Sequence, residues 1–212
     1  MKRIGLAMVA VLAVTSSIHT TVSADELRSG VYALRSIPDA QLDYRTLYLV
    51  VNNGNVTGFF DNPSTAPAAN NPDRDPTCRF LLRSTSVTRN EVDFATQFSG
   101  DRGKPISVAA SAKGVWSVRV NGDLPNCDVP TISTGDSLTF SAARSWIGFA
   151  SITSRRARLY SKPEDSAITK AYLVKDDVAA VLVRNGDWVQ IDYFASGTDL
   201  VRWIKRADLQ MD

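Results

Sequence analysis

Side chains able to run acid–base or nucleophilic chemistry are few in this sequence. Only one of its 212 residues is a histidine, His19. It lies inside a stretch that reads as an export signal, so the processed chain is expected to carry no imidazole. A Ser/His/Asp triad or a Cys/His amidase needs a base that exchanges protons near neutrality, and imidazole usually supplies it. The common zinc hydrolase sites combine His with carboxylate or Cys, and only Cys78 and Cys127 would remain for that role. Two routes stay open. A glycoside hydrolase needs only two carboxylates across a cleft, and Glu91 and Asp93 in Glu91-Val92-Asp93-Phe94 would share one strand face. That alternation is equally the pattern of a solvent-facing strand edge. A serine/lysine dyad lacks its S-x-x-K spacing, and Ser111-Ala112-Lys113 and Ser161-Lys162 read as loops. Asp73 and Asp75 in Asn71-Pro72-Asp73-Arg74-Asp75-Pro76 offer oxygens to calcium, but Arg74 and the missing Asx-Gly loop pattern argue against it. The expectation is a protein with no catalytic residues, no metal and no cofactor.

The leader carries this reasoning. Lys2 and Arg3 supply a positive start, Ile4 to Val14 is apolar apart from Gly5, and Val22-Ser23-Ala24 offers a small-residue cleavage pattern before Asp25. The apolar stretch is much shorter than the roughly 20 residues of a bilayer-spanning helix, which predicts removal of residues 1–24 and no membrane span. About 190 residues would remain, periplasmic or secreted, enough for one large or two small domains. Loss of Lys2 and Arg3 takes the formal charge from +2 to zero, so nothing global steers the chain toward nucleic acid or anionic lipid. An even pair of cysteines in an exported chain reads as a structural disulfide between Cys78 and Cys127. A loop of about 50 residues closed in this way stabilises a fold by roughly 4 kcal/mol on the chain-entropy account. No CxxC spacing supports a redox or metal role, and neither cysteine directly follows the leader, so the processed protein is expected to be soluble.

Strand signals dominate from Gly30 onward, and no long helical periodicity interrupts them. The predicted class is all-β: a barrel or sandwich-like unit over residues 25–150, then a small barrel over 155–212. Leu47 to Val51 and Val56 to Phe60 flank Asn52-Asn53-Gly54-Asn55 as a hairpin. Asn121-Gly122 and Asn185-Gly186 mark two more turns, with Val181 to Arg184 leading into Trp188 to Ile191. Asp61 to Pro76 reads as a long surface loop, and Gly100 through Arg102-Gly103-Lys104-Pro105 as another. A boundary is expected near Ala150 to Arg156, with Ser145-Trp146-Ile147-Gly148-Phe149 as the last strand of the first unit. Arg155, Arg156 and Arg158 straddle it; they could grip an anionic partner, but so short a cluster reads first as a solvated linker face.

Leu159-Tyr160-Ser161-Lys162-Pro163, Ala171 to Lys175, Asp177-Val178, Gly186 to Tyr193 and Trp203 to Leu209 together resemble a bacterial SH3-like domain, covering roughly the last quarter of the chain. The resemblance implies binding of cell-wall peptides or protein contacts in an exported bacterial protein. It departs from the family's pattern at Asp176 and at Arg202, where glycine is often found. Trp188, Val189 and Ile191 are expected around a small core, and Trp203-Ile204 with Ala207-Asp208-Leu209 resembles the family's closing strand and short helical turn. Residues 25–150 resemble no family.

Aromatic side chains join apolar area to a polar tip, which makes Tyr160, Tyr172, Tyr193 and Trp203 the candidate binding residues. Tyr193 and Trp203 flank the Phe194 to Asp199 loop, and Asp192, Asp199 and Arg202 would add orienting polar contacts. The expected function is an exported, non-enzymatic envelope protein that contacts peptidoglycan peptide or another envelope protein. The alternative is an immunity or inhibitor protein that neutralises an envelope-targeting enzyme or toxin, with the Asp61 to Pro76 loop as a plug. A carboxylate-based glycan hydrolase ranks below both.

Overall fold

The computed structural model describes residues 26–35, 45–62, 79–98, 101–111, 115–121, 124, 132–194 and 199–211. The leader, Cys78, Cys127, the Asn121-Gly122 turn, Asp73, Asp75 and nearly all of the Asp61 to Pro76 loop lie outside those residues or on their edge. The described chain is all-β, and its helical turns are two short 3-10 segments, Asp165–Ala167 and Arg206–Asp208. Among the described residues no helix is long and apolar enough to cross a membrane.

The first eight strands close an antiparallel barrel in sequence order: β1 Gly30–Arg35, β2 Thr46–Asn52, β3 Asn55–Asp61, β4 Phe80–Val87, β5 Glu91–Phe98, β6 Asp101–Ala110, β7 Trp116–Val120 and β8 Ser137–Ala143. β8 returns to pair with β1, which removes the free edges. Alternate residues point inward, and Leu34, Leu47, Leu49, Phe60, Phe80, Phe94 and their neighbours fill the barrel. At one end a buried bidentate ion pair joins Arg45 to Asp136, 2.6 and 3.3 Å. The same carboxylate accepts from the Ser133 backbone N–H. The expected hairpin turn is present between β2 and β3, where Asn53 and Gly54 both take positive φ.

Two expectations are corrected here. The stretch expected as a loop through Arg102-Gly103-Lys104-Pro105 is the start of β6, paired with β5 across a bulge in which Gln97 meets Arg102 and Ala95 meets Pro105. A bulge absorbs the one extra residue of β6 and accommodates a proline that would break a regular ladder. The strand after Trp146, expected to end the first unit, is β9, Gly148–Ile152, and it pairs with strands of the second sheet. The last barrel strand is β8.

The second sheet contains β9 with β10 Arg156–Tyr160, β11 Ile168–Val174, β12 Val178–Asn185, β13 Trp188–Tyr193, β14 Leu200–Lys205 and β15 Leu209–Met211, in the order β11-β10-β14-β13-β12-β9-β15. It curls around its own core of Ile152, Ala157, Leu159, Leu173, Val181, Val189, Ile191 and Ile204. A third apolar cluster fuses the two units. Val50, Phe59 and Leu81 on the outside of the barrel pack with Phe149 and Ala180 of the second sheet and with Trp146 and Phe194. Tyr48 joins it, its ring stacked 4.1 Å from that of Phe194.

A candidate binding face on the second sheet

Strand register places a row of side chains straight across the outside of the second sheet. Ile168 on β11 stands opposite Tyr160 on β10, Tyr160 opposite Trp203 on β14, Trp203 opposite Gln190 on β13, and Gln190 opposite Val183 on β12. Their in-between neighbours Leu159, Ile204, Val189 and Ile191 fill the core, so the period of two sends the row outward. Ile168 and Val183 at its ends are 53% and 43% exposed. Beside the row, Trp188 stands opposite Lys205 and meets the Tyr160 ring edge-on at 4.8 Å. Trp188 therefore lies half-buried on the outer face and not in the core, and the core at this level is closed by Val189 and Ile191. The Lys205 ammonium is 4.3 Å above the Trp188 ring and 2.6 Å from Asp165. The hydrogen bond that Lys205 donates to Asp165 raises the pKa of the ammonium.

On β11, Ile168, Lys170, Tyr172 and Val174 are all exposed. The Arg156 guanidinium lies 3.9 Å over the Tyr172 ring, a cation–π contact worth roughly 0.5–1 kcal/mol at an exposed site. Arg158 stands directly opposite Tyr172.

The predicted binding residues thus divide into two groups. Tyr160, Tyr172 and Trp203 come together on the outer face, with Tyr160 nearly buried under its neighbours. Tyr193 and Arg202 belong to the opposite, core-side face: Tyr193 packs on the second core, and Arg202 stands opposite the core residue Ile191. Arg202 donates to the Val201 carbonyl at 2.7 Å. Asp199 is at the edge of the seam between the units, 3.4 Å from Arg144.

Asp192, expected as an orienting contact, is instead part of that seam. It is 5% exposed, and its Oδ2 accepts from the Trp146 indole N–H at 2.9 Å. Its Oδ1 is buried with no hydrogen-bond partner among the described residues. Burial raises its pKa, the Trp146 bond pulls it down in part, Asp199 pushes it up and Arg144 opposes. Burial, then the nearby Asp61 carboxylate, push the Tyr48 phenol up to about 12.

A shallow cleft opens where the seam reaches the surface, lined by Phe59, Asp61, Arg79, Asp177, Tyr193 and Phe194 among others. Arg79 pairs with Asp61 at 2.9 Å. Tyr193 donates to Asp177 at 3.5 Å, and burial followed by the Asp177 charge raises its pKa. Glu91 and Asp93 share the outer face of β5, while Val92 and Phe94 point into the barrel. Ser161 donates its hydroxyl to the Ala167 carbonyl. Among the described residues no cluster of His, Cys, Asp and Glu assembles that could hold a metal ion.

Sequence reasoning missed Ile168, Lys170 and Val174 as part of the outer face, and assigned Arg156 and Arg158 to a linker. The signal was the alternation Ile168-Lys170-Tyr172-Val174, masked by Ala171 and Leu173, which make the strand read as apolar on both faces. Compared with protein-family models, with curated proteins and with solved structures, the chain finds no match.

Proposed function

We propose that this chain is an exported binding protein of the bacterial envelope, which acts by contact and not by catalysis. In this reading the outer face of β10, β11, β13 and β14 contacts peptidoglycan peptide or an envelope protein. The observation that carries it is the cross-strand row Ile168–Tyr160–Trp203–Gln190–Val183, an aromatic and aliphatic stripe ending in exposed side chains on a sheet braced from behind by its own core. Rigid, pre-positioned apolar area of this kind loses little conformational entropy on binding. The test places a photo-crosslinking residue at Tyr172 or Trp203 of the full chain in the producing cells. Adducts to wall peptide or to an envelope protein are expected, and yields no higher than from a control at Glu91 on the barrel would sink the reading. Retention on purified wall sacculi separates the wall version from the protein version.

One observation favours a second reading, an immunity or inhibitor protein. Asp61 and Arg79, which bracket the 62–78 segment, line the same cleft as Phe194, which precedes 195–198. In this reading the Asp61 to Pro76 loop is the plug. Co-purification with a toxic partner and protection of cells test it, and protection that survives deletion of residues 64–76 discards the plug.

A further inference from the structure

We infer that the partner surface received by β10 and β11 is an acidic, extended protein segment with apolar or aromatic side chains between its carboxylates. This deepens the contact reading above and rests on it. On the outer face of β10, β11, β13 and β14 every charged residue apart from Asp192, buried in the seam, is cationic: Arg156, Arg158, Lys170 and Lys205, the last paired with Asp165. The acids of this unit stand in its turns. Arg158 and Lys170 are exposed and have no ion-pair partner among the described residues. Arg156 is held on the Tyr172 ring, which fixes that ring as an outward anchor. Ile168, Tyr172 and Val174 project from the same strand with about half their surface in water.

The alternation of cation and apolar side chain along β11 dictates the ligand's form. An extended segment repeats its own side chains every two residues, so carboxylates can face Lys170 and Arg158 while apolar groups meet Ile168, Tyr172 and Val174. The seven residues from Ile168 to Val174 span about 20 Å, which sets the length of the contact.

Recognition is through the face and not through addition of a strand to the edge. The β11 edge carries devices that block backbone pairing: a bulge opposite Arg158 to Tyr160, the Val174 N–H taken by Asp177 Oδ2 at 2.8 Å, and an outward Lys170. A second copy of the chain is a poor occupant. Two cationic faces repel, and the described outward charges on the barrel strands are mixed, with Arg35, Arg83 and Arg119 against Glu91 and Asp93.

The experiment titrates the full chain with a glutamate–tyrosine copolymer and, separately, with a lysine–tyrosine copolymer, following tryptophan fluorescence at low and moderate salt. The acidic copolymer is expected to bind, more weakly as salt rises, and R158E/K170E to weaken it about ten-fold or more, because charge complementarity sets both encounter and register. Tyr172→Ala is expected to weaken it as well, whereas R83E/R119E on the barrel changes it by less than about two-fold by the same rule. Circular dichroism and thermal melts confirm that these exposed-site variants fold. Equal binding of the basic copolymer, or an unchanged affinity in R158E/K170E, overturns the inference. If sacculi are retained through this face and the acidic copolymer neither binds nor competes, the occupant is wall peptide: the inference falls and the contact reading stands. If neither is bound and no crosslinks form in cells, both fall.

Discussion

Asp192 shows how a residue's environment decides its role. Its sequence neighbourhood, Ile191-Asp192-Tyr193 beside a loop, suggests a surface contact, yet the chain turns it into the seam, where the Trp146 indole holds one oxygen and the other has no partner among the described residues. A carboxylate whose pKa is raised in the folded state binds its proton more tightly there than in the unfolded chain. Stability therefore falls as pH rises from the ordinary carboxylate range through the raised value, and is level above it. Asp192→Asn keeps an acceptor for Trp146 and removes the buried charge. Urea titrations are expected to show the variant more stable at neutral pH by about 1 kcal/mol, with the gain vanishing in acid. Asp192→Ala leaves the indole N–H unsatisfied and is expected to cost about 1–3 kcal/mol. A neutral-pH stability of Asp192→Asn below that of the parent would refute the buried-charge account. At this scale aromatic chemistry picked out Tyr160, Tyr172 and Trp203 as neighbours, but it could not separate them from Tyr193 and Arg202. That separation depends on strand parity, which a shift of one residue reverses.

The β2–β3 hairpin was legible from its turn, but which face each residue takes was obscure where both faces are buried. Leu47-Tyr48-Leu49-Val50-Val51 shows no alternation because Leu47 and Leu49 fill the barrel while Tyr48 and Val50 meet the second sheet. Phe59-Phe60 divides in the same way, Phe60 inward and Phe59 to the seam. The start of β6 was illegible because glycine and proline signal a turn, and only the partner strand reveals the bulge that absorbs them. The tight turns were legible from their chemistry. Asp176, standing where the resembled family often has glycine, does adopt a left-handed conformation, φ 70°. Asp176→Gly is expected to change stability by no more than about 1 kcal/mol, whereas Asp176→Val, β-branched in that conformation, costs about 1–2 kcal/mol. Thermal melts of the two variants check this, and a Val variant as stable as the parent would contradict the turn's geometry.

Across the whole molecule, the seam makes one body of two β units. Trp146, Phe149 and Phe194 bring three rings together from the connector, β9 and the loop after β13, and all three pack against Val50, Phe59 and Leu81 on the barrel. Calorimetry is expected to show a single cooperative transition for the parent. Phe149→Ala, at a fully buried site, is expected to lower stability by about 3–5 kcal/mol and to split the transition in two. An unsplit transition with little loss would mean that the units are held together by something other than this cluster. The all-β class was legible from turn spacing. The crossing point was not, because β9 is apolar on both faces and could have belonged to either sheet.

The claim that the second sheet's outer face makes the contact is tested most directly by hydrogen exchange of the full chain, alone and after incubation with sacculi or with envelope extract from the producing cells. Slowed exchange is predicted in Arg156 to Tyr160 and Ile168 to Val174, with Glu91 to Ala110 unchanged. Protection confined to the barrel strands, or none with either preparation, would contradict it.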